Sequence, residues 1–385
     1  MKAKSIQGST IEEISLAFQQ SREGGFTPTL AIVFISIKQD REAVRDLLRK
    51  ENIDIIGATS AGEFIGGHQS SEAMVILLLD IRKEQYAVIF KETTGKTFSE
   101  AAKEIANKAL SLFANPAFIL CSTSFTKEGI VLDGFDLLQN LERTLGTDKI
   151  IFGGMAGDDA SFTGTCVFTG DQSTDYGFVL LVLDNDKIEV QGMAMSGWKP
   201  LGKIRTVTES KDGWLYSIDG QPALEMYLRY LGQTLDEEGN EQKKFIDGVG
   251  LYHPFLSINA GDPVLRTPFA MDREKNAIKL DFPIPEGKEL QFTLPPDFDI
   301  VESVLANARD RREKVKSDAD ALLIFSCYGR LSALGPMVQE ENDGLQQIWN
   351  APMAGFFTYG EYGKDQSGLH EFHSTTCSWV ALKEK

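Results

Sequence analysis

The sequence predicts an α/β protein, a composite of repeated helix–strand–crossover–strand modules with a β-rich junction region. Three observations predict this fold class. One order of elements recurs three times along the 385 residues, the core strands are nearly continuous apolar runs, and a Gly- and Pro-rich stretch separates the second and third repeats. Continuous apolar strands are typical of sheets covered on both faces, and crossovers of about 20 to 30 residues are long enough for parallel pairing.

The first repeat shows the order most plainly. Apolar spacing predicts a helix over 11–20, and the apolar run 31–36 after it predicts a buried strand. A second helical stretch, 42–50, leads to the segment 57–63, Gly-Ala-Thr-Ser-Ala-Gly-Glu. The apolar run 73–79 closes the repeat as a return strand.

The second and third repeats keep this order, with the third replacing its middle helix by a connection of undefined structure. Each first strand ends in Ser and each second strand ends in Gly followed by an acid. The second repeat comprises 98–113 (helix), 117–122 (strand), 135–145 (helix), 150–158 (strand and turn) and 177–183 (return strand). The third comprises 299–316 (helix), 321–326 (strand), 355–361 (strand and turn) and 378–382 (return strand).

The stretch 189–296 differs from the repeats. It contains short β-prone runs and Gly-rich turns, which favour antiparallel strands, and we expect the domain junction here. One helix interrupts it, with Pro222 in the first turn and Gly232 at its end. The β-prone runs are 204–208, 214–218, 278–282 and 290–294.

Composition excludes several classes of function. The formal net charge is −17, and no cluster of Lys and Arg suggests a nucleic-acid partner. The longest basic run, 309–316, is interrupted by Asp310 and Glu313, as on a solvated helix face. The polar segment 1–10 has no signal-peptide character, and the longest apolar run is too short to span a membrane. We therefore expect a cytoplasmic protein without a membrane partner.

The four cysteines are Cys121, Cys166, Cys327 and Cys377, and none belongs to a CxxC pair. Their spacing supports neither a zinc site nor a disulfide framework. Most of them lie in or beside apolar strand-like runs, where a buried free thiol is expected.

The repeated Gly-acid pairs are candidate ligand-binding turns. Glycine permits a positive φ and a close approach of the backbone to a ligand, and ligands of open α/β sheets gather beyond the carboxyl ends of strands. The alternative is that each pair is a tight turn whose acid caps its own backbone. The candidate residues are Gly62 with Glu63, Gly157 with Asp158, Gly360 with Glu361, and the nearby hydroxyls of Thr59, Ser60 and Thr358.

The third repeat adds Ser-Cys-Tyr-Gly-Arg at 326–330, directly after a buried strand. Arg330 is a candidate for gripping a ligand carboxylate through two hydrogen bonds. Its alternative role is a structural ion pair. Cys327 is a candidate ligand contact as well, or else a buried inert thiol.

Seven segments together resemble the FIST family (F-box and intracellular signal transduction), and they occur in the family's order over almost the whole chain. The last of them, Phe-His-Ser-Thr-Thr, differs from the family's common form, which has Asn after the histidine where this chain has Ser374. The segments are 57–63, 152–158, 195–202 with 205–208, 218–225, 325–330, 355–361 and 372–376.

The resemblance implies a FIST N-type domain over 1–218 and a FIST C-type domain over 219–385. It implies a sensory module for small ligands, with amino acids as proposed ligands. Some members of the family are haem-containing nitric oxide sensors that act on histidine kinases. This chain shows no recognisable kinase segment, so the resemblance implies output to a separate signalling protein such as a histidine kinase.

The leading functional hypothesis is a sensory module that binds an amino acid. Arg330 would hold the ligand carboxylate, and Glu361 or Glu63 would hold its ammonium group. Both charge types are expected at the ends of paired buried strands.

The alternative hypothesis is a haem-based nitric oxide sensor. Haem needs an axial ligand in an apolar pocket, and the sequence offers His68, His253, His370 and His373. His253 has apolar neighbours and His373 lies in the last family motif, so these two are the candidates. The absence of CxxCH excludes covalent attachment.

An enzymatic hypothesis would use Cys327 as nucleophile with His373 and Glu361. The sequence contains no nucleophile elbow, phosphate-binding loop or dinucleotide fingerprint. We therefore expect a binding protein and not an enzyme.

Overall fold

A computed structural model describes residues 1–93, 97–233, 245–259, 261–316 and 318–385 of the chain, and it confirms the α/β fold class. The helices are α1 (Ile11–Ser21), α2 (Arg41–Lys50), α3 (Phe98–Leu112), α4 (Gly134–Leu145), α5 (Ala223–Leu231), α6 (Asp299–Val315), α7 (Tyr328–Leu334) and α8 (Met337–Trp349), with short turns of 3-10 helix at Lys83–Gln85 and π-helix at Ile246–Gly250.

The strands fall into four sheets. They are β1 (Lys2–Gly8), β2 (Leu30–Ile35), β3 (Asp54–Thr59), β4 (Glu63–Ile65), β5 (His68–Ser70), β6 (Met74–Asp80), β7 (Tyr86–Glu92), β8 (Pro116–Ser122), β9 (Ile150–Met155), β10 (Val167–Phe168), β11 (Ser173–Thr174), β12 (Gly177–Asp184), β13 (Ile188–Met195), β14 (Pro200–Lys211), β15 (Trp214–Ile218), β16 (Gln221–Pro222), β17 (Phe255–Ser257), β18 (Val264–Arg266), β19 (Pro268–Asp272), β20 (Ala277–Leu280), β21 (Glu289–Thr293), β22 (Ala321–Cys327), β23 (Met353–Thr358), β24 (Glu361–Lys364), β25 (His370–His373) and β26 (Cys377–Glu384).

The predicted helices form because their sequences supply both an apolar face and a cap. The hydroxyl of Thr10 and the carboxylates of Asp40 and Asp133 accept hydrogen bonds from backbone amides in the first turns of α1, α2 and α4. Thr97 forms a capping box with Glu100 at the start of α3. The observed boundaries lie within a residue or two of the predicted ones.

The three repeats form three sheets with the same strand arrangement. In each, the first and second strands of the repeat pair in parallel, and the return strand pairs antiparallel with the first. The three sheet orders are β1-β6-β2-β3-β10-β11, β7-β12-β8-β9-β24-β25 and β13-β26-β22-β23-β4-β5. The three repeats of the sequence pattern are therefore three copies of one strand arrangement.

The units exchange hairpins. The hairpin that follows each Gly-acid turn pairs with the second strand of another unit and completes that unit's sheet. β4-β5 of the first unit adds to β23, β10-β11 of the second adds to β3, and β24-β25 of the third adds to β9. Each unit therefore needs a neighbour to cover one sheet edge.

The inner faces of the three sheets meet in one apolar core. Phe34 of the first unit contacts Phe356 and Phe325 of the third, with ring centroids 4.3 Å and 6.1 Å apart. Phe152 of the second unit belongs to the same cluster. All these rings are buried, so the core joins the three units into one body.

The junction region forms the fourth sheet, ordered β18-β17-β21-β14-β15-β20-β19, with β16 paired to β15. Its pairings are antiparallel, as predicted. α5 packs on it and ends at Gly232 in the left-handed region, with φ 65°. Pro222 stands at the cap of α5, one residue before the helix, and not in the first turn.

Two helices in the third unit were not predicted as helices. α7 and α8 fill the connection between β22 and β23, so all three units have a helical crossover. Within the described residues, no helix has the length and apolar character needed to cross a bilayer.

Candidate functional site

The three Gly-acid turns lie together where the units meet. Each is joined to another unit by backbone hydrogen bonds, as the hairpin exchange requires. These bonds run from the Gly157 amide to the Thr59 carbonyl (2.9 Å), from the Ala61 amide to the Phe357 carbonyl (3.0 Å) and from the Met155 amide to the Gly360 carbonyl (2.8 Å).

Two of these glycines are required by the backbone. Gly62 has a φ of 122°, which side chains with a Cβ rarely adopt. A Cβ on Gly157 would lie 2.5 Å from the Ala61 amide nitrogen. Gly62 is therefore needed for its backbone conformation, and Gly157 for the close approach of two turns.

The Glu63 carboxylate links its turn to the return strand of the first unit. It accepts hydrogen bonds from the Ser60 hydroxyl and from the amide of Ala73, 3.1 Å away, directly before β6. The side chain is fully buried, and burial raises the pKa of Glu63 to about 8. Glu63 thus ties the end of β3 to the start of β6.

Glu361 does the same in the third unit. Its carboxylate accepts hydrogen bonds from the Thr358 hydroxyl (2.5 Å) and from the Thr376 amide (3.3 Å), directly before β26. Burial raises the pKa of Glu361 well above its usual range. Burial, and then the charge of Glu361, raise the pKa of the Cys327 thiol, which is the opposite of nucleophile activation.

Asp158 has different partners because its turn lacks the hydroxyl three residues earlier. Its carboxylate accepts from the Tyr359 hydroxyl (2.6 Å) and from the amides of Thr163 (2.6 Å) and Gly164 (3.1 Å). All three acids are thus buried and bonded within the protein. This geometry matches the self-capping alternative, and a ligand contact by any of the three stays a prediction.

Arg330 lies in a buried ion pair. Its Nε donates to Glu341 at 2.9 Å, its Nη2 donates to the second oxygen of the same carboxylate, and its Nη1 donates to the Ser196 carbonyl. Both charged side chains are fully buried. The pair fits the structural alternative for Arg330, because its nitrogens are already bonded to protein atoms.

The two histidines proposed as haem ligands differ. His253 is about half-buried, and its Nδ1 lies 3.1 Å from the Thr293 carbonyl. His373 is buried, and its Nε2 makes no hydrogen bond within the described part of the chain. Burial, and then the charge of Arg266, lower the pKa of His373 to about 4, so the imidazole is neutral at physiological pH.

A pocket of about 420 Å³ lies between the three-unit core and the fourth sheet. We call it the interface pocket. Its size is typical of sites for small molecules. One face of α4 forms a wall, since Phe135, Leu138, Gln139 and Glu142 recur at helical spacing. The other lining residues are Asp133, Ser257, Asn259, Arg266, Phe282, Pro283, Pro285, Lys288, His370, Glu371 and Phe372.

Arg266 is the unusual residue of this pocket. Its side chain is 5% exposed, yet it makes no salt bridge to a carboxylate of the described residues. Its hydrogen bonds there both use Nη1, to the carbonyls of Leu265 (2.9 Å) and Phe372 (3.1 Å). Burial lowers the pKa of Arg266, while the charges of Asp281 and Glu371 oppose that effect. Nε and Nη2 therefore remain available to a ligand.

Acidic groups stand opposite this cation. Glu371 is partly buried, and the one hydrogen bond that its carboxylate makes in the described region is a long one from the Asn259 amide, 3.4 Å. Burial raises the pKa of Glu371, and the nearby guanidinium of Arg266 opposes the rise. Glu142 on α4 bonds to Nδ1 of His370 at 2.6 Å, while Nε2 of His370 accepts from the Ile151 amide. This fixes α4 against β25.

Arg330 was predicted from the sequence as a ligand contact, and Arg266 was not considered. A charged residue inside the apolar run Pro-Val-Leu-Arg at 263–266 was the available signal. Of the predicted residues, the structure brings together the Gly-acid turns and their hydroxyls, and it places Cys327 beside Glu361. His373 follows the pocket-lining residue Phe372 directly on β25.

The fold and the pocket define an α/β protein of three exchanged units and an antiparallel sheet, with a pocket of small-molecule size between them. The chain belongs to the FIST family: a FIST N domain matches residues 29–221 and a FIST C domain matches residues 223–364. FIST domains are associated with sensing in signal transduction.

One curated relative is an uncharacterized protein of Methanocaldococcus jannaschii. It is 25% identical over 347 residues, which are 84% of this chain. The match spans 65% of that relative's length.

Proposed function

We propose that this protein is a sensory module that binds a free amino acid in the interface pocket and passes the signal to a separate protein such as a histidine kinase. The family supports the sensory role. The shape and charge of the pocket support the choice of ligand.

The observation that carries this proposal is the unpaired guanidinium of Arg266. A buried cation without an ion-pair partner is costly, and a ligand carboxylate would relieve that cost. Two parallel hydrogen bonds from Nε and Nη2 would suit a carboxylate. In Arg330 the same two nitrogens, Nε and Nη2, already donate to Glu341 and are not available to a ligand.

The rest of the pocket suits the other parts of an amino acid. Glu371 carries the opposite charge near Arg266 and would accept hydrogen bonds from the α-ammonium group. Phe135, Leu138 and Phe282 would surround an apolar side chain. We therefore expect leucine or phenylalanine to bind better than acidic amino acids.

Calorimetric titration with the common amino acids tests this proposal. Wild type should bind an apolar amino acid, and Arg266→Gln and Glu371→Gln should each weaken that binding by about tenfold or more, which corresponds to about 1.4 kcal/mol. Asp171→Asn, which removes one exposed carboxylate and so matches Glu371→Gln, should bind like wild type. No heat from any amino acid at millimolar concentration would refute the choice of ligand.

Haem remains a second candidate because His373 has an unpartnered Nε2. His373 would be the axial ligand, supplying neutral imidazole to the iron. The cavity that it lines has Asp262 and Asp365 as its charged residues, and these would repel the propionates of a porphyrin. The residues that line this cavity therefore fit a cationic ligand better than they fit haem. A Soret band upon haem addition, lost in His373→Gln, would favour haem.

A further inference from the structure

A second cavity, of about 400 Å³, lies on the opposite side of the same strands from the interface pocket. We call it the His373 cavity. Successive strand residues point to opposite faces. Arg266 and Phe372 line the interface pocket, while their neighbours Leu265 and His373 line the His373 cavity.

The charges of the His373 cavity are all acidic. Among its lining residues, which are all described, Asp262 and Asp365 are charged and no Lys or Arg is present. The interface pocket differs, since it contains Arg266 and Lys288. It also contains the carboxylates of Asp133, Glu142 and Glu371, so it offers charges of both signs, whereas the His373 cavity suits a cation.

His373 supplies an observation independent of the acids. It is 5% exposed, and its buried Nε2 makes no hydrogen bond to the described residues. A buried polar atom without a partner costs free energy unless a ligand or water satisfies it. A ligand with N–H donors would do so while being attracted by the two carboxylates.

The two carboxylates differ in how many further hydrogen bonds they can accept. Asp365 accepts from the Ser367 hydroxyl and the Leu369 amide at Oδ1 and from the Asp262 amide at Oδ2. Asp262 accepts from the Gln366 amide at Oδ2, 2.9 Å away, and its Oδ1 makes no hydrogen bond to the described residues. Asp262 is therefore the carboxylate open to a ligand.

We propose that the His373 cavity is a binding site for a small alkylammonium ligand. The ammonium group lies between Asp262 and His373. The alkyl chain lies against the apolar part of the wall, which includes Met195, Trp198 and Leu256. This site is separate from the interface pocket, and its existence does not depend on the amino-acid proposal.

Calorimetry with 1,4-diaminobutane and butylamine tests this site, with butyrate as the anionic counterpart of the same chain length. Wild type should bind the amines and not butyrate. Asp262→Asn should weaken amine binding by about tenfold or more while keeping the bond to the Gln366 amide, because an amide oxygen can accept it. His373→Gln should weaken it as well.

Asp171→Asn, which removes one exposed carboxylate elsewhere, controls for a general effect of charge. Equal weakening in Asp171→Asn and Asp262→Asn would overturn the proposal, because the amines would then be bound by net charge alone. Absence of amine binding at about 10 mM, where even a site of millimolar affinity would be filled, would overturn it too. Binding of butyrate as tight as that of the amines would have the same consequence.

Discussion

Arg330 and Glu341 form a two-hydrogen-bond ion pair in which both side chains are fully buried. The pair joins the start of α7 to α8, and its guanidinium also bonds to Ser196 at the end of β13. Removing one partner would leave a buried charge without compensation. Such losses cost about 3 to 5 kcal/mol.

Arg330→Met should therefore lower the free energy of unfolding by about 3 to 5 kcal/mol, measured by urea denaturation. The double variant Arg330→Met/Glu341→Leu should recover much of that loss, since it leaves no charge behind. A single variant as stable as wild type would show that Arg330 is free for a ligand.

Arg266→Gln should behave differently, although Arg266 is buried as well. Its guanidinium makes no salt bridge in the described structure and is attracted by Asp281 and Glu371 only at longer range, so the substitution removes a weakly held cation and leaves two carbonyls to satisfy. We expect less than half the loss seen for Arg330→Met in the same denaturation assay. Equal losses would mean that Arg266 is held by contacts as strong as those of Arg330.

Glu63 should make stability depend on pH. Burial raises its pKa in the folded protein from 4.5 to about 8, so the unfolded chain loses the proton at lower pH than the folded one. The contribution of Glu63 to the free energy of unfolding is fully present below pH 4.5. It falls as the pH rises towards 8, by up to about 1.4 kcal/mol per pH unit.

The Glu63→Gln variant cannot ionise at this position and isolates the effect. The difference in unfolding free energy between Glu63→Gln and wild type should grow in favour of the variant between pH 5 and pH 8. Urea denaturation at a series of pH values measures it. A difference that does not change with pH would show that Glu63 is already ionised in the folded protein.

The hairpin exchange predicts that the halves 1–218 and 219–385 do not fold separately. The first half supplies β4, β5 and β13 to the sheet built on β22 and β23, and the second half supplies β24 and β25 to the sheet built on β9. Each half alone should show little dispersion in its amide NMR spectrum, whereas the two mixed together should give a folded complex. A well-dispersed spectrum from one half would contradict this.

Much of the fold could be predicted because it is local in sequence. The apolar runs of β2, β8 and β22, and the caps of α1 to α4, carry their own signals within about ten residues. The Gly-acid turns were found from repetition alone.

The exchange of hairpins could not be predicted in this way. β4 and β5 have three residues each, and β23, the partner of β4, lies almost 300 residues away, so no periodicity in either segment encodes the pairing. The interface pocket was missed for the same reason. Arg266 and Glu371 are far apart in sequence. That Arg266 makes no salt bridge can be recognised only once the positions of both side chains in the fold are known.

A crystal structure of the protein with leucine or phenylalanine would show directly where the amino acid binds. We expect density for the amino acid in the interface pocket, with its carboxylate within hydrogen-bond distance of Nε and Nη2 of Arg266 and its ammonium group beside Glu371. Density at Arg330 or among the three Gly-acid turns, with the interface pocket empty, would contradict it.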